Sequence, residues 1–314
     1  MHSLWNAEET HAPEANVVAQ PHMSSLDTTG PAFALGRSFL GIAVSASGVL
    51  QLVTGEFVRL VPTAAAEDGR SSSVWPYLVG LVLVAVGCAI ATDRKARLAT
   101  GVLAGLIVLS LVLRQVPRVV DNPWVGYMWT NPLKAVALAA SGGLVAAGSR
   151  EGGATPRTRR VASLEWFALL SLSVFMLVGG VQHFVYADFV TTLVPSWIPA
   201  QRMWTYMTGV ALIAGGTGIL IPRTSGLAAT LSGTMIFLWV LLLHIPRAVA
   251  GPDHASETAG VFEALALSGV AFMIAGTRTG RTPSFEKGEA DPVEPAQQSC
   301  LTPREGPGEM RDLR

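Results

Sequence analysis

Long apolar runs with at most one charged residue are the feature that most constrains this chain. Eight such runs occur, each of roughly 15–22 residues, close to the ~20 apolar residues that a helix needs to cross a bilayer. Only 14% of the residues are charged, against about 25% in an ordinary soluble domain. The sequence therefore predicts an all-α integral membrane protein with about eight transmembrane helices. The runs are Ser38–Gly55, a part of Val74–Thr92, Leu98–Leu113, Leu133–Gly148, Trp166–His183, Met203–Leu220, Thr224–His244 and Val261–Gly276.

Arginine and lysine crowd alternate connections between these runs. The connections after the second, fourth and sixth runs and the segment after the eighth hold Arg94, Lys95, Arg97, Arg150, Arg157, Arg159, Arg160, Arg223, Arg278 and Arg281. Because short cytoplasmic loops carry the excess of basic residues, both chain ends are predicted in the cytoplasm. The expected partner is the lipid bilayer. The formal net charge of zero gives no sign of a nucleic-acid partner.

Three segments outside the runs have a different composition. Residues 1–32 and 278–314 are rich in proline, glycine or charge and are predicted to be disordered tails. Residues 149–162 are predicted to be a basic cytoplasmic linker. The two cysteines, Cys88 and Cys300, form no CxxC or CxxCH motif. Their spacing argues against a dithiol redox centre, a structural zinc and covalently attached c-type haem.

The two halves of the chain repeat each other at a nearly constant offset. The matching segments are Trp75–Gly80 with Trp204–Gly209, Leu113–Arg118 with Leu242–Arg247, and Lys134–Leu138 with Glu263–Leu267. The chain is therefore predicted to contain two tandem four-helix units, residues 33–148 and 163–277. Because four is an even number, both units enter the membrane in the same sense, which implies a pseudo-two-fold axis along the membrane normal. Close helix contact is expected at the GxxxG pair Gly101 and Gly105.

Ionisable and polar residues gather where the helices of the second unit reach its outer end. The candidate site residues are His183, Asp188, Tyr206, His244, Arg247 and Glu263. Ionisable groups at membrane depth usually pair or line a cavity. We therefore expect His183, His244, Arg247 and Glu263 to converge, with Asp188 and Tyr206 at the rim.

The first unit lacks most of this set. Gln51 and Gln115 stand where the second unit has its two histidines, and Lys134 stands where it has Glu263. The second unit is therefore predicted to be the working one, with the first unit in a supporting role.

Several interpretations of the polar set stay open. Two histidines and a carboxylate suit a metal ion, and histidines also ligate haem. A histidine with an arginine could hold a quinone carbonyl and exchange its proton. Alternatively, these residues satisfy helix ends and pair as His–Asp and Arg–Glu. We predict no metal site and no obligatory cofactor, with quinone and haem as the open alternatives.

Several motifs of the second half resemble the DoxX-like family of membrane proteins. They are Gln182–Val190, Leu193–Pro199, Tyr206–Ala214, Leu241–Arg247 and Phe262–Ala266. The resemblance covers about residues 163–277, and through the internal repeat it reaches residues 36–148. It implies a small four-helix bundle in the bacterial inner membrane. Some relatives are subunits of a thiosulfate:quinone oxidoreductase and others assemble with oxidative-stress proteins, but most have no known activity.

The first functional expectation is a non-catalytic or accessory membrane protein that scaffolds a redox or oxidative-stress complex. A quinone-reactive oxidoreductase subunit using His183, His244 and Arg247 is the second expectation. The third is a small-solute transporter with its path between the units, which a charged residue deep in the membrane would favour.

Overall fold

The computed structural model describes residues 30–57, 74–148, 159–251 and 254–279, in which all regular structure is helical. The prediction of an all-α chain is confirmed for this part. Most of the two predicted tails and of the predicted linker lies outside the described residues. In chain order the nine helices of this part are α1 (Pro31–Thr54), α2 (Trp75–Ala91), α3 (Ala96–Asp121), α4 (Thr130–Gly148), α5 (Arg159–Val185), α6 (Ala187–Leu193), α7 (Gln201–Leu220), α8 (Ser225–Ala250) and α9 (His254–Thr279).

Six of these helices are long and apolar enough to cross a membrane: α1, α3, α5, α7, α8 and α9. Helices are favoured there because lipid offers no partner to a backbone N–H or C=O, and a helix satisfies both internally. The chain is thus a multi-pass membrane protein by length and composition. Helix α2 is apolar but has only 17 residues. Each of the eight runs picked from the sequence falls on a helix of the structure.

Several helices extend beyond the limits predicted from sequence. Helix α1 begins at Pro31 and α5 at Arg159, so the last residues of the predicted N-terminal tail and linker are helical. Helix α9 begins at His254 and ends at Thr279. It therefore starts seven residues before the predicted Val261. In α5 and α9 the added turns contain polar residues, among them Arg159, Arg160 and Glu257, which lie beyond the apolar run.

Helices α3 and α8 each contain a five-residue π-helical segment, at Leu111–Gln115 and Val240–His244. A proline, Pro117 or Pro246, follows two residues later. Proline has no N–H to donate to the preceding turn, and the wider π turn lets the helix continue. In α8, for example, the N–H of Ile245 donates to the carbonyl of Val240, five residues back. Single-turn π segments of this kind often occur at functional sites.

The eight longer helices pack in a closed ring, in the order α1, α2, α3, α4, α5, α7, α8, α9 and back to α1. Helices α4 and α9 also pack on each other across the ring. Helix α9 is the most buried of the six long apolar helices. All described residues belong to one compact unit, and their core includes Leu40, Leu144, Met176 and Met273.

Glycines set the closest helix contacts. A Cβ built on Gly36 would lie 2.3 Å from the carbonyl oxygen of Gly269, so α1 and α9 touch through their backbones. Similar contacts join α1 to α2 at Gly48 and Gly80. The GxxxG prediction was wrong in detail, because a Cβ on Gly101 or Gly105 would meet nothing within 4 Å.

Reciprocal glycine contacts occur in both halves of the chain. A Cβ on Gly48 would lie 2.7 Å from the oxygen of Gly80, and one on Gly180 would lie 2.8 Å from the oxygen of Gly209. These pairs join α1 to α2 and α5 to α7, which are the first two of the four helices that each half contributes to the ring. Both pairs run antiparallel.

Candidate functional site

A cavity of about 440 Å³ lies at the end of the bundle where α5 and α8 end and where α4 and α9 begin. We call this the site end. The apolar wall includes Phe175, Leu212, Ile236, Trp239 and Leu267, which come from four helices. Four of the predicted site residues line the same cavity: His183, His244, Arg247 and Glu263. The structure therefore brings together side chains from α5, α8 and α9 at one place.

Glu263 is paired with Lys134, its counterpart in the first half of the chain. Lys134 Nζ lies 2.5 Å from Glu263 Oε2, and the two side chains are 20% and 12% exposed. The pair joins α4 to α9, the two helices that meet across the ring. The first half of the chain thus contributes a cation directly to the cavity.

Arg247 is paired with Glu257, not with Glu263. The distance from Arg247 Nη2 to Glu257 Oε1 is 2.7 Å, and both side chains are 28% exposed. Glu257 lies in the first turn of α9, which is why the later helix start predicted from sequence excluded it. The expected Arg–Glu pairing exists with a different glutamate.

The two histidines lie in different local settings. His183 Nδ1 is 2.7 Å from the carbonyl oxygen of Gly179, one turn back in α5. His244 ends the π segment of α8, and its Nδ1 faces Gly260 of α9, where an added Cβ would lie 3.5 Å away. Within the described ranges no hydrogen bond joins His183, His244, Arg247 or Glu263 to another of these four. They share the cavity without binding one another.

A chain of hydrogen bonds closes one side of the cavity. Thr130 Oγ1 donates to Gln182 Oε1 at 2.7 Å, and Gln182 Nε2 donates to the carbonyl oxygen of Gly126 at 2.7 Å. These contacts link the turn before α4 to the end of α5. Gln182 was not among the candidate site residues, although its position beside His183 could have suggested it.

Asp188 and Tyr206 do not line the cavity. Asp188 pairs with Arg202 at 3.0 Å and is 89% exposed, so the expected His–Asp pair does not form. Tyr206 accepts a hydrogen bond from Arg202 and stacks on Phe184 with ring centroids 5.6 Å apart. These residues form a surface cluster beyond the cavity.

In the first half, the residues that stand at the histidine positions are buried. Gln51 is 0% exposed and its Nε2 donates to the carbonyl oxygen of Pro76 at 2.7 Å. Gln115, at the end of the π segment of α3, is 9% exposed. At these positions the first half buries its glutamines, whereas the second half exposes its histidines to a cavity.

The charged groups of the cavity are arranged as two ion pairs. Among the residues that the structure describes, no three His, Cys, Asp or Glu side chains are grouped as a metal site requires. Both carboxylates of the cavity are held by cations, so each ion pair has no net charge. An uncharged ligand with polar atoms at one end fits this lining.

The chain matches a family described as a domain of unknown function (DUF8561) over residues 172–275. The match covers about a third of the chain, from within α5 to within α9, and includes most of the cavity. No curated protein matches the chain, and no solved structure does.

Proposed function

We propose that this protein is an accessory, non-catalytic subunit that binds a small amphipathic molecule, with a quinone headgroup as the first candidate. The observation that carries the proposal is the cavity at the site end. Its volume of about 440 Å³ lies within the usual range of ligand pockets, about 300–1,000 Å³. An apolar body with a few polar groups at one end is the lining that an amphipathic ring needs.

The wider proposal is a DoxX-like protein of the bacterial inner membrane, with eight spans in two tandem four-helix units and both termini in the cytoplasm. Three features of the structure support duplication. The π segments of α3 and α8 occur at positions that the sequence repeat aligns. The glycine contacts of α1–α2 recur in α5–α7, and Lys134 and Glu263 occupy matching positions.

A small-solute transporter is the second candidate, because a charged pair lies within the span. Glu263 follows Ala255, the start of the apolar span of α9, by eight residues, or about 12 Å along the helix axis. Binding of a ligand without its transport is the better-supported proposal. Beyond the cavity, Val270, Met273 and Ile274 of α9 are fully buried, so packed side chains fill the bundle in that direction.

Ligand binding is tested with the purified full chain in lipid nanodiscs, using decylubiquinone and equilibrium dialysis. Gly260 lines the cavity, so Gly260→Leu should fill it and abolish binding. Gly105→Leu is the matched control, since nothing lies within 4 Å of a Cβ at that position. Both variants replace a helical glycine with the same residue and gain the same helix propensity.

The expected result is saturable binding by the wild type and by Gly105→Leu but not by Gly260→Leu. Absence of binding by the wild type, or equal binding by both variants, would show that the cavity is not the quinone site.

A further inference from the structure

Most polar groups of the cavity already have partners. Lys134 is paired with Glu263, and Arg247 with Glu257. Gln182 uses its amide oxygen for Thr130 and its amide nitrogen for the carbonyl of Gly126. Lys134, Arg247 and Gln182 keep further N–H groups that can donate to a ligand. The imidazoles of His183 and His244 also line the cavity and take no part in these contacts.

The contact between His183 and Gly179 defines which imidazole nitrogen carries the proton. A backbone carbonyl oxygen has no proton to give, so it can only accept. His183 Nδ1, 2.7 Å from that oxygen, is therefore the donor. In a neutral imidazole one nitrogen donates and the other accepts. The nitrogen that His183 has left for a ligand, Nε2, is therefore an acceptor.

We infer that the cavity recognises a ligand through a hydroxyl group that donates to His183 Nε2. The ligand class is a phenol or quinol with an apolar ring against Phe175 and Trp239. This inference rests on the proposed function. It specifies which redox form of the ligand binds, because a quinone carbonyl has no proton for His183 to accept. The cavity thus binds the reduced, hydroxylated form more tightly than the oxidised form.

Thymol and its methyl ether isolate the hydroxyl proton, since the ether retains the ring and the oxygen. Binding is measured on the full chain in nanodiscs by equilibrium dialysis. The ether should bind about tenfold more weakly than thymol, as expected for one lost hydrogen bond at a partly buried site. Under anaerobic conditions durohydroquinone should likewise bind about tenfold more tightly than duroquinone.

Two variants assign the preference to His183. His183→Leu removes the acceptor. The affinity for thymol should therefore fall to that for its ether, while the affinity for the ether stays unchanged. His183→Gln retains a donor for the Gly179 carbonyl and an acceptor for the ligand, so it should restore a preference for thymol. Gly105→Leu serves again as the control for a change outside the cavity.

The tautomer is tested directly by nitrogen NMR of isotopically labelled histidine, with the His183 signals assigned by their loss in His183→Gln. A protonated Nδ1 and an unprotonated Nε2 are expected. This measurement does not require His183→Leu to fold.

The outcomes separate the two proposals. Equal binding of thymol and its ether, or tighter binding of duroquinone than of durohydroquinone, overturns the inference while the cavity remains a binding site. A protonated Nε2 on His183 also overturns it. Absence of binding by every probe, decylubiquinone included, refutes the proposed function and this inference with it.

Discussion

The ion pair between Lys134 and Glu263 makes a quantitative prediction about stability. At 2.5 Å and an effective dielectric constant of about 20, the attraction between the two charges is about 7 kcal/mol. The side chains are only 20% and 12% exposed, and burial costs several kcal/mol for each ion. The two terms nearly cancel, so the net contribution of the pair to stability should be small.

Removal of one partner should have a much larger effect than removal of both. Lys134→Met leaves the Glu263 carboxylate without its cation, and such a loss typically costs 3–5 kcal/mol. We expect about 3 kcal/mol, because some solvent reaches both side chains. The double variant Lys134→Met with Glu263→Met should lie within about 1 kcal/mol of the wild type.

The assay is reversible unfolding of the purified chain in mixed detergent micelles, analysed as a double-mutant cycle. The exchanged variant, Lys134→Glu with Glu263→Lys, adds a test of orientation and should recover most of the stability lost in Lys134→Met. If Lys134→Met costs less than about 1 kcal/mol, or if the double variant is as unstable as the single one, the pair does not have the buried character described here.

Three further predictions follow from the topology, the helix contacts and the surface cluster. Reporter fusions at Gly153 and at the C-terminus should both report cytoplasm, and an external C-terminus would contradict the orientation. Gly36→Ala should destabilise the fold by about 1–3 kcal/mol because its Cβ would lie 2.3 Å from the Gly269 oxygen. Gly101→Ala, the control, should not destabilise, and equal effects in unfolding assays would refute the contact. Asp188→Ala should change stability by less than about 1 kcal/mol, as for exposed ion pairs, and a larger loss would disprove a surface role.

Helix positions could be predicted from sequence because an apolar run in lipid must satisfy its backbone hydrogen bonds internally, as an α-helix does. Helix ends were less predictable. Pro117 and Pro246 would ordinarily end or kink a helix, yet α3 and α8 continue past them to Asp121 and Ala250. The wider π turn before each proline makes this continuation possible, and a proline in a sequence does not by itself distinguish a π turn from a helix end.

The candidate site was predictable only in part. Four of its six residues share the cavity because polar groups at the ends of neighbouring helices lie at one depth. The roles of Lys134 and Glu257 were not foreseen. The role of Lys134 depends on the contact of α4 with α9 across the ring. The role of Glu257 depends on the start of α9 at His254. Asp188 was misassigned because its partner Arg202 lies on the surface.

The proposed duplication would account for the asymmetry of the site. Two identical units that met through α4 and α9 would place like charges at positions 134 and 263, and like charges at close range repel. A fused chain lets the two positions diverge to lysine and glutamate, which attract. It also lets the first half bury Gln51 and Gln115 while the second half keeps imidazoles at the cavity. In this account Lys134 is a contribution of the first half to the cavity of the second half. Lys134→Glu places two carboxylates at this contact, so in unfolding assays it should destabilise the chain at least as much as Lys134→Met does, by about 3 kcal/mol.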